Sequence, residues 1–202
     1  MKDKLDELKK QSRMSHKICD QPDGVNGVHG LVELIDYVGG LENKKALEVG
    51  CYRGISSETF LLHKPAEMHF VDCWGLNEDY TQANKFIKKD KTDWVTIKKE
   101  FETRIEPYTY QTKIRIIHDL SVNAARNTPD ESFDFIYIDG DHDYDPVLTD
   151  IKSWYPKLKP GGWFCGHDYS HLAQVKDAFD EYFTGLEITS FNDSSCAIRK
   201  LS

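Results

Sequence analysis

The sequence predicts an α/β fold on a seven-stranded, mostly parallel sheet with helices on both faces, and three observations carry that reading. Apolar strand and helix patterns alternate from about residue 28 onward, the order in which parallel sheets are wound. A glycine-bearing turn, Glu48-Val49-Gly50-Cys51-Tyr52-Arg53-Gly54, falls where the first strand gives way to a helix. The chain then closes on two short strands around Asn192-Asp193-Ser194, an antiparallel hairpin after five parallel units.

The elements follow in order. Val28, Leu31, Val32, Leu34, Ile35 and Val38 form a helical apolar stripe that stops at Gly39 and Gly40. Strand one spans Ala46 to Gly50, a helix from about Ser56 carries Phe60, Leu61 and Leu62 inward, and strand two, Met68 to Asp72, ends in an acid. Between Asp79 and Pro107 lie one or two helices, the second capped by Asp93 with Trp94, Ile97, Phe101 and Ile105 on one face. Further strands are expected at Ile114 to His118, Phe133 to Asp139 and Gly162 to Gly166, the middle one apolar enough for the centre of a sheet. Asp145 and Pro146 signal a helix start, cap then proline, with Val147, Ile151 and Trp154 inward. A last helix carries Val175, Ala178, Phe179, Tyr182 and Phe183, and the hairpin pairs Leu186 to Phe191 with Cys196 to Arg199.

With 202 residues, the chain fits one domain, residues 1–202, with residues 1–27 as an N-terminal extension read as a lid or a dimer contact. A homodimer is one expectation for its assembly. Hydrophobic residues make up 39% and charged residues 30%, and no apolar run approaches the roughly eighteen residues of a membrane span. The charged N-terminus lacks the apolar centre of a secretory signal, which makes the cytoplasm the expected compartment. Five scattered cysteines without a CxxC pair read as free thiols. A net charge of -8 disfavours nucleic-acid partners, and the lysines at 85, 88, 89, 91, 98 and 99 are interleaved with acids as on a solvated helix.

At the first strand end, Gly50 lets the chain turn tightly and Gly54 allows close approach of a ligand or of the helix; an ordinary sharp turn is the alternative reading. Asp72 is placed to accept the hydroxyls of an adenosine ribose. A dinucleotide site would share that acid but require G-x-G-x-x-G, and Tyr52 stands where its second glycine belongs. Asp119, with Leu120 beside it, can take an adenine amino group or cap the helix that follows.

Together, E-V-G-C-Y-R-G, Asp72, H-D-L-S at 118–121 and L-K-P-G-G before the fifth strand resemble class I S-adenosylmethionine (SAM) dependent methyltransferases. More narrowly, Y-I-D-G-D-H-D-Y at 137–144, the spaced Asp150 and G-H-D-Y at 166–169 resemble small-molecule O-methyltransferases that include macrolide-sugar and glycan enzymes. The resemblance implies a Rossmann-like fold, with Glu48, Gly50 and Gly54 at the methionine end of SAM, Asp72 at the ribose, and Asp119 and Leu120 at the adenine. It implies a sugar or glycan hydroxyl as acceptor, a deoxyhexose such as rhamnose being one form.

Asp139 and Asp168 end the fourth and fifth strands, and on neighbouring strands about 4.8 Å apart their carboxylates can converge on one hard cation, magnesium or manganese. His142 is the candidate general base, since an imidazole with a pKa of about 6.5 accepts a proton at neutral pH. The resemblance assigns the same roles to these three residues. Asp141 and His167 are the candidates for a third protein ligand, and each reads equally well as a hydrogen-bonded loop residue. A calcium-loop reading of Asp139, Asp141, Asp143 and Asp145 fails, because Tyr144 replaces the turn glycine and Asp150 the final glutamate. His69, His118 and His171 read as structural, whereas Trp74, Tyr80 and Tyr169 near the strand ends fit either an acceptor wall or, equally well, ordinary packing. The competing functions are a nucleotide-dependent oxidoreductase or hydroxylase-like enzyme and a non-catalytic SAM-binding module.

Overall fold

A computed structural model describes residues 1–18, 27–76 and 92–201. Tyr80, Cys19, the lysines at 85–91, residues 19–26 of the extension and the first part of the segment after Asp79 lie outside the described residues.

Among the described residues, helix α1 spans Lys2–Ile18 and α2 spans Gly27–Tyr37. Strand β1 (Lys45–Val49), α3 (Ile55–Leu62) and β2 (Glu67–Asp72) follow, then α4 (Trp94–Ile105), β3 (Lys113–His118) and α5 (Ser121–Arg126). Strand β4 (Phe133–Ile138), α6 (Tyr144–Trp154), β5 (Leu158–Gly166), α7 (Ala173–Tyr182), β6 (Thr189–Ser190) and β7 (Cys196–Arg199) complete the chain. The sheet order is β3-β2-β1-β4-β5-β7-β6. The first five strands are parallel, and β7 runs antiparallel to both β5 and β6, as the sequence predicts.

Alternation along the strands divides the core. Ala46, Met68, Phe70, Phe135 and Tyr137 pack against α2, α3 and α4, while Leu47, Val71, Ile136, Ile138 and Phe164 pack against α5, α6 and α7. Asp93 caps α4 by accepting the Thr96 N–H at 2.9 Å, and Ile97, Phe101 and Ile105 are buried as expected.

Some boundaries differ from expectation, β5 for one starting at Leu158 rather than Gly162. Helix α6 begins at Tyr144, with Asp143 at its cap position, so Asp145 and Pro146 lie inside its first turn. Proline is tolerated there because first-turn N–H groups have no partner within the helix. Strand β6 is only Thr189–Ser190 rather than the whole of 186–191, since Phe191 already turns back, its N–H bonding to the Ser195 carbonyl at 2.8 Å.

α1 is fastened to this frame through Glu58 of α3, which is 3% exposed and accepts from Lys4 at 3.2 Å, Arg104 at 2.9 Å and the Tyr108 hydroxyl at 2.8 Å. Arg104 also donates to Gln11 and to the Arg53 carbonyl. Glu58→Ala strands these donors; we expect a loss of about 2–3 kcal/mol, a fall in Tm of about 5–10 °C by calorimetry. An unchanged Tm would show that α1 is held by its apolar contacts alone.

Candidate functional site

The strand order reverses between β1 and β4, and a crevice forms at such a point beyond the carboxyl ends of the strands. The ladder continues past those ends. Gly50 N–H bonds to Val71 O (2.9 Å), Asp139 N–H to Val49 O (2.7 Å), Asp119 N–H to Asp72 O (3.2 Å) and His167 N–H to Ile138 O (3.0 Å). The residues picked out in sequence thus lie along one sheet edge.

The two glycines of the first loop do different work. Gly50 has φ +86°, and a Cβ there would sit 2.0 Å from the Asp139 carbonyl oxygen, so its missing side chain admits the neighbouring strand end. Gly54 has φ +80° and faces Phe101, 2.9 Å from where a Cβ would be; of its two expected neighbours, the side-chain direction meets helix packing.

Asp72 fastens the same loop from below. One oxygen accepts the N–H groups of Cys51 and Tyr52, both at 2.8 Å, and the other accepts Trp74 N–H at 2.8 Å. Its carboxylate therefore shapes the loop in addition to standing at the strand end where a ribose was expected. Trp74 is buried, donates from its indole to the Tyr52 carbonyl at 3.0 Å and packs on Phe101, in keeping with the ordinary packing weighed for it against the acceptor wall. Asp119 accepts Leu120 N–H at 2.7 Å and the Asn123 amide at 3.1 Å, so it supports the start of α5 while remaining at the strand edge.

Glu48 is fully buried on the α2/α3 face, with the Ser56 and Ser57 hydroxyls donating to its two oxygens. Burial pushes its pKa up to about 8 in spite of those donors, and the charges of Asp139 and Asp72 add to the rise. An acid whose folded-state pKa is raised contributes stability that is complete below about pH 4.5 and is lost as pH climbs toward 8. Across pH 5–9 the expected fall in Tm from this group is about 8–16 °C, and Glu48→Gln should flatten it. Identical pH profiles for the two proteins would contradict the buried-acid reading.

At the other half of the crevice, Asp139, His142 and Asp168 offer ligand atoms that all lie within 4.8 Å of one another. His142 Nε2 is 3.0 Å from Asp168 Oδ2. His167 Nδ1 lies 3.5 Å from Asp139 Oδ1 and 3.4 Å from Asp168 Oδ1. Of the two candidates for a third ligand, His167 is thus beside the carboxylates. Asp141 instead accepts the N–H groups of His142 (2.7 Å) and Asp143 (2.9 Å), a local turn that aims the loop.

Asp168 is 7% exposed with φ +61°. Burial alone would raise its pKa, but the charge of His167 and the hydrogen bond from His142 outweigh it and hold the carboxyl well below its usual range. For His142, burial opposes the charged form, and the bond to Asp168 with the charges of Asp168 and Asp139 turns the balance upward. The donors, two carboxylates and an imidazole, suit a hard divalent ion.

The other candidates have partners of their own. His69 bonds to Glu67 at 2.6 Å, His118 to the Cys73 carbonyl at 2.9 Å, and His171 donates its N–H to the Asp168 carbonyl at 3.2 Å. Tyr169 follows Asp168 and its hydroxyl donates to Asp180 at 2.6 Å. Cys51, Cys73, Cys165 and Cys196 are free thiols. No helix among the described residues is long and apolar enough to cross a membrane.

This sheet order and crevice define the class I SAM-dependent methyltransferase fold. The O-methyltransferase NovP superposes with a TM-score of 0.68 at 15% identity, over 87% of this chain and 81% of that one. A candidate methyltransferase from Streptococcus mutans, solved in complex with SAH, gives 0.60 at 14% identity over 85% and 98%. A family profile described as a methyltransferase domain matches residues 47–169, and the chain belongs to that family. An uncharacterized protein of Acanthamoeba polyphaga mimivirus is 33% identical over 55 residues, 27% of this chain and only 25% of that protein's length.

Proposed function

We propose that this protein is a metal-assisted O-methyltransferase that methylates a hydroxyl of a small polyol, a sugar or glycan being the favoured acceptor. The observation that carries the reading is the convergence of Asp139, His142 and Asp168 within 4.8 Å at the ends of β4 and β5. The SAM side falls to Glu48, Gly50 and Gly54 at the methionine end, Asp72 at the ribose, and Asp119 and Leu120 at the adenine. Glu48 suits a ligand ammonium, since a buried acid poised near neutrality gains its charge cheaply beside a cation.

Asp139 and Asp168 would hold magnesium or manganese, and His167, beside both carboxylates, is the candidate third ligand once its ring has given up its proton. Such an ion, held by these residues, would supply Lewis acidity that lowers the pKa of the acceptor hydroxyl. His142 takes the proton of the acceptor hydroxyl, and Asp168 stabilises the resulting imidazolium. In the transfer, the acceptor oxygen forms a bond to the methyl carbon as the carbon–sulfur bond breaks, leaving a methyl ether and SAH. The chain's main contribution is to hold oxygen and methyl in line.

SAH titration by calorimetry, followed by assay of hydroxylated acceptors with and without chelator, tests the proposal. Binding of SAH with turnover that chelator removes and Mg²⁺ or Mn²⁺ restores is the expected result. Absence of heat at millimolar SAH would overturn the SAM assignments, and turnover indifferent to chelator would overturn the metal.

A further inference from the structure

The turn between β6 and β7 reads in sequence as Asn192-Asp193-Ser194-Ser195, four small polar residues that ordinarily face water. In the fold, Asp193, Ser194 and Ser195 are 0%, 1% and 0% exposed. Polar groups buried this completely need partners; Asp193 is bonded by Ser195 within the turn, while Ser194 and Ser195 reach residues near Asp168 and Asp139.

Ser194 grips the segment after Asp168. Its carbonyl accepts Tyr169 N–H at 2.9 Å, its hydroxyl accepts Ser170 N–H at 2.8 Å, and the two serine hydroxyls lie 2.9 Å apart. Ser195 reaches the strand that leads to Asp139, its hydroxyl 3.0 Å from that of Tyr137 while it donates to Asp193 at 2.8 Å. Asp193 accepts Ser195 N–H at 2.9 Å as well. On its far side the turn is wedged against α2. The Asn192 amide donates to the Glu33 carboxylate at 3.0 Å, and a Cβ at Gly30 would meet Asp193 Oδ1 at 2.3 Å.

Asp168 needs such a grip. A side-chain-bearing residue in the left-handed region stays there when its surroundings over-determine it, and Asp168 sits at φ +61°. The N–H groups of His171 and Leu172 secure its carbonyl from the following helix start, at 3.2 and 3.0 Å. Ser194 secures the two residues between.

We propose that the buried 193–195 turn is the positioning element of the acceptor half of the site, and that the Ser194 hydroxyl is the positioning group that aims the Asp168 carboxylate. This deepens the proposed function and rests on Asp168 being a metal ligand there. Ser194 does not touch the reacting atoms; it acts through Tyr169 and Ser170, the two residues that follow Asp168.

The informative variant is Ser194→Gly. Ser194 has φ +74°, so glycine relieves the backbone while removing the hydroxymethyl side chain. With the full chain, Mn²⁺ titration followed by electron paramagnetic resonance should show affinity weakened about tenfold or more, the range for outer-shell changes at metal sites. SAH affinity should stay within about twofold, because the SAM loops lie on the other side of the β1–β4 crevice. Wild-type Mn²⁺ affinity in the variant would overturn the proposal, as would equal weakening of Mn²⁺ and SAH, which marks general loosening. Should the wild type bind SAH but no Mn²⁺, the metal reading fails by itself. The positioning claim is then decided by crystal structures of both proteins. Asp168 leaving its left-handed conformation or its contact with His142 in the variant supports it, and Asp168 unmoved overturns it. If Ser194→Gly does not fold, Ser194→Ala removes the hydroxyl that accepts Ser170 N–H and meets the Ser170 hydroxyl, and is judged by the same measurements.

Discussion

Asp168→Ala is expected to lower methyl transfer by about 10³-fold or more while SAH still binds. The residue is assigned two jobs that alanine cannot share. Its carboxylate would complete the cation site with Asp139, and it bonds to His142 at 3.0 Å, orienting the proposed base. Removing it leaves both imidazoles beside Asp139 without their second carboxylate partner. Asp168→Asn keeps shape and one acceptor oxygen and should fall between the two. Both variants are measured by turnover on any hydroxylated acceptor the wild type methylates, with SAH calorimetry on the same samples. Turnover within tenfold of wild type would remove Asp168 from the chemistry. Loss of SAH binding together with turnover would instead point to a collapsed crevice.

Gly50→Ala is expected to be the most damaging single-methyl change in the chain. The added Cβ would lie 2.0 Å from Asp139 O and 2.7 Å from Gly140 Cα, both backbone atoms that no rotamer change can move. The φ of +86° adds conformational strain for any residue with a side chain. Relief requires β1 and β4 to part at their carboxyl ends, where Asp139 N–H holds Val49 O at 2.7 Å. We expect a loss of at least about 3 kcal/mol, a fall in Tm of about 6–12 °C or failure to fold, with SAH affinity reduced in any folded fraction. A folded Gly50→Ala protein with wild-type Tm would show that the two strand ends are not held as tightly as they lie. Gly54→Ala should be milder, since its obstacle is the edge of the Phe101 ring.

Much of this was legible in one dimension. Parallel strands buried on both faces read as apolar runs, and FDFIYID at the sheet centre and the alternation with amphipathic helices therefore fixed the architecture. Acids at strand ends were equally legible: in a parallel sheet all carboxyl ends share one edge, so Asp72, Asp119, Asp139 and Asp168 had to line it once the strands were placed. Helix starts were less so. First-turn prolines and cap acids are interchangeable over a residue or two, as Asp143 and Asp145 show.

Sequence determined the sheet, its antiparallel ending, the loop that turns on Gly50 and the identity of the acids along the crevice. Tertiary structure alone decided which groups meet. It brought His142 and His167 to Asp168, sent Asp141 into a local turn, gave Asp72 the loop amides and buried the Asp193–Ser195 turn beneath the Asp168 loop. The physical reason is range. Periodicity and turn chemistry act between residues a few positions apart, whereas a hydrogen bond from Ser170 to Ser194 depends on how β5 and β7 pair, which no local pattern encodes.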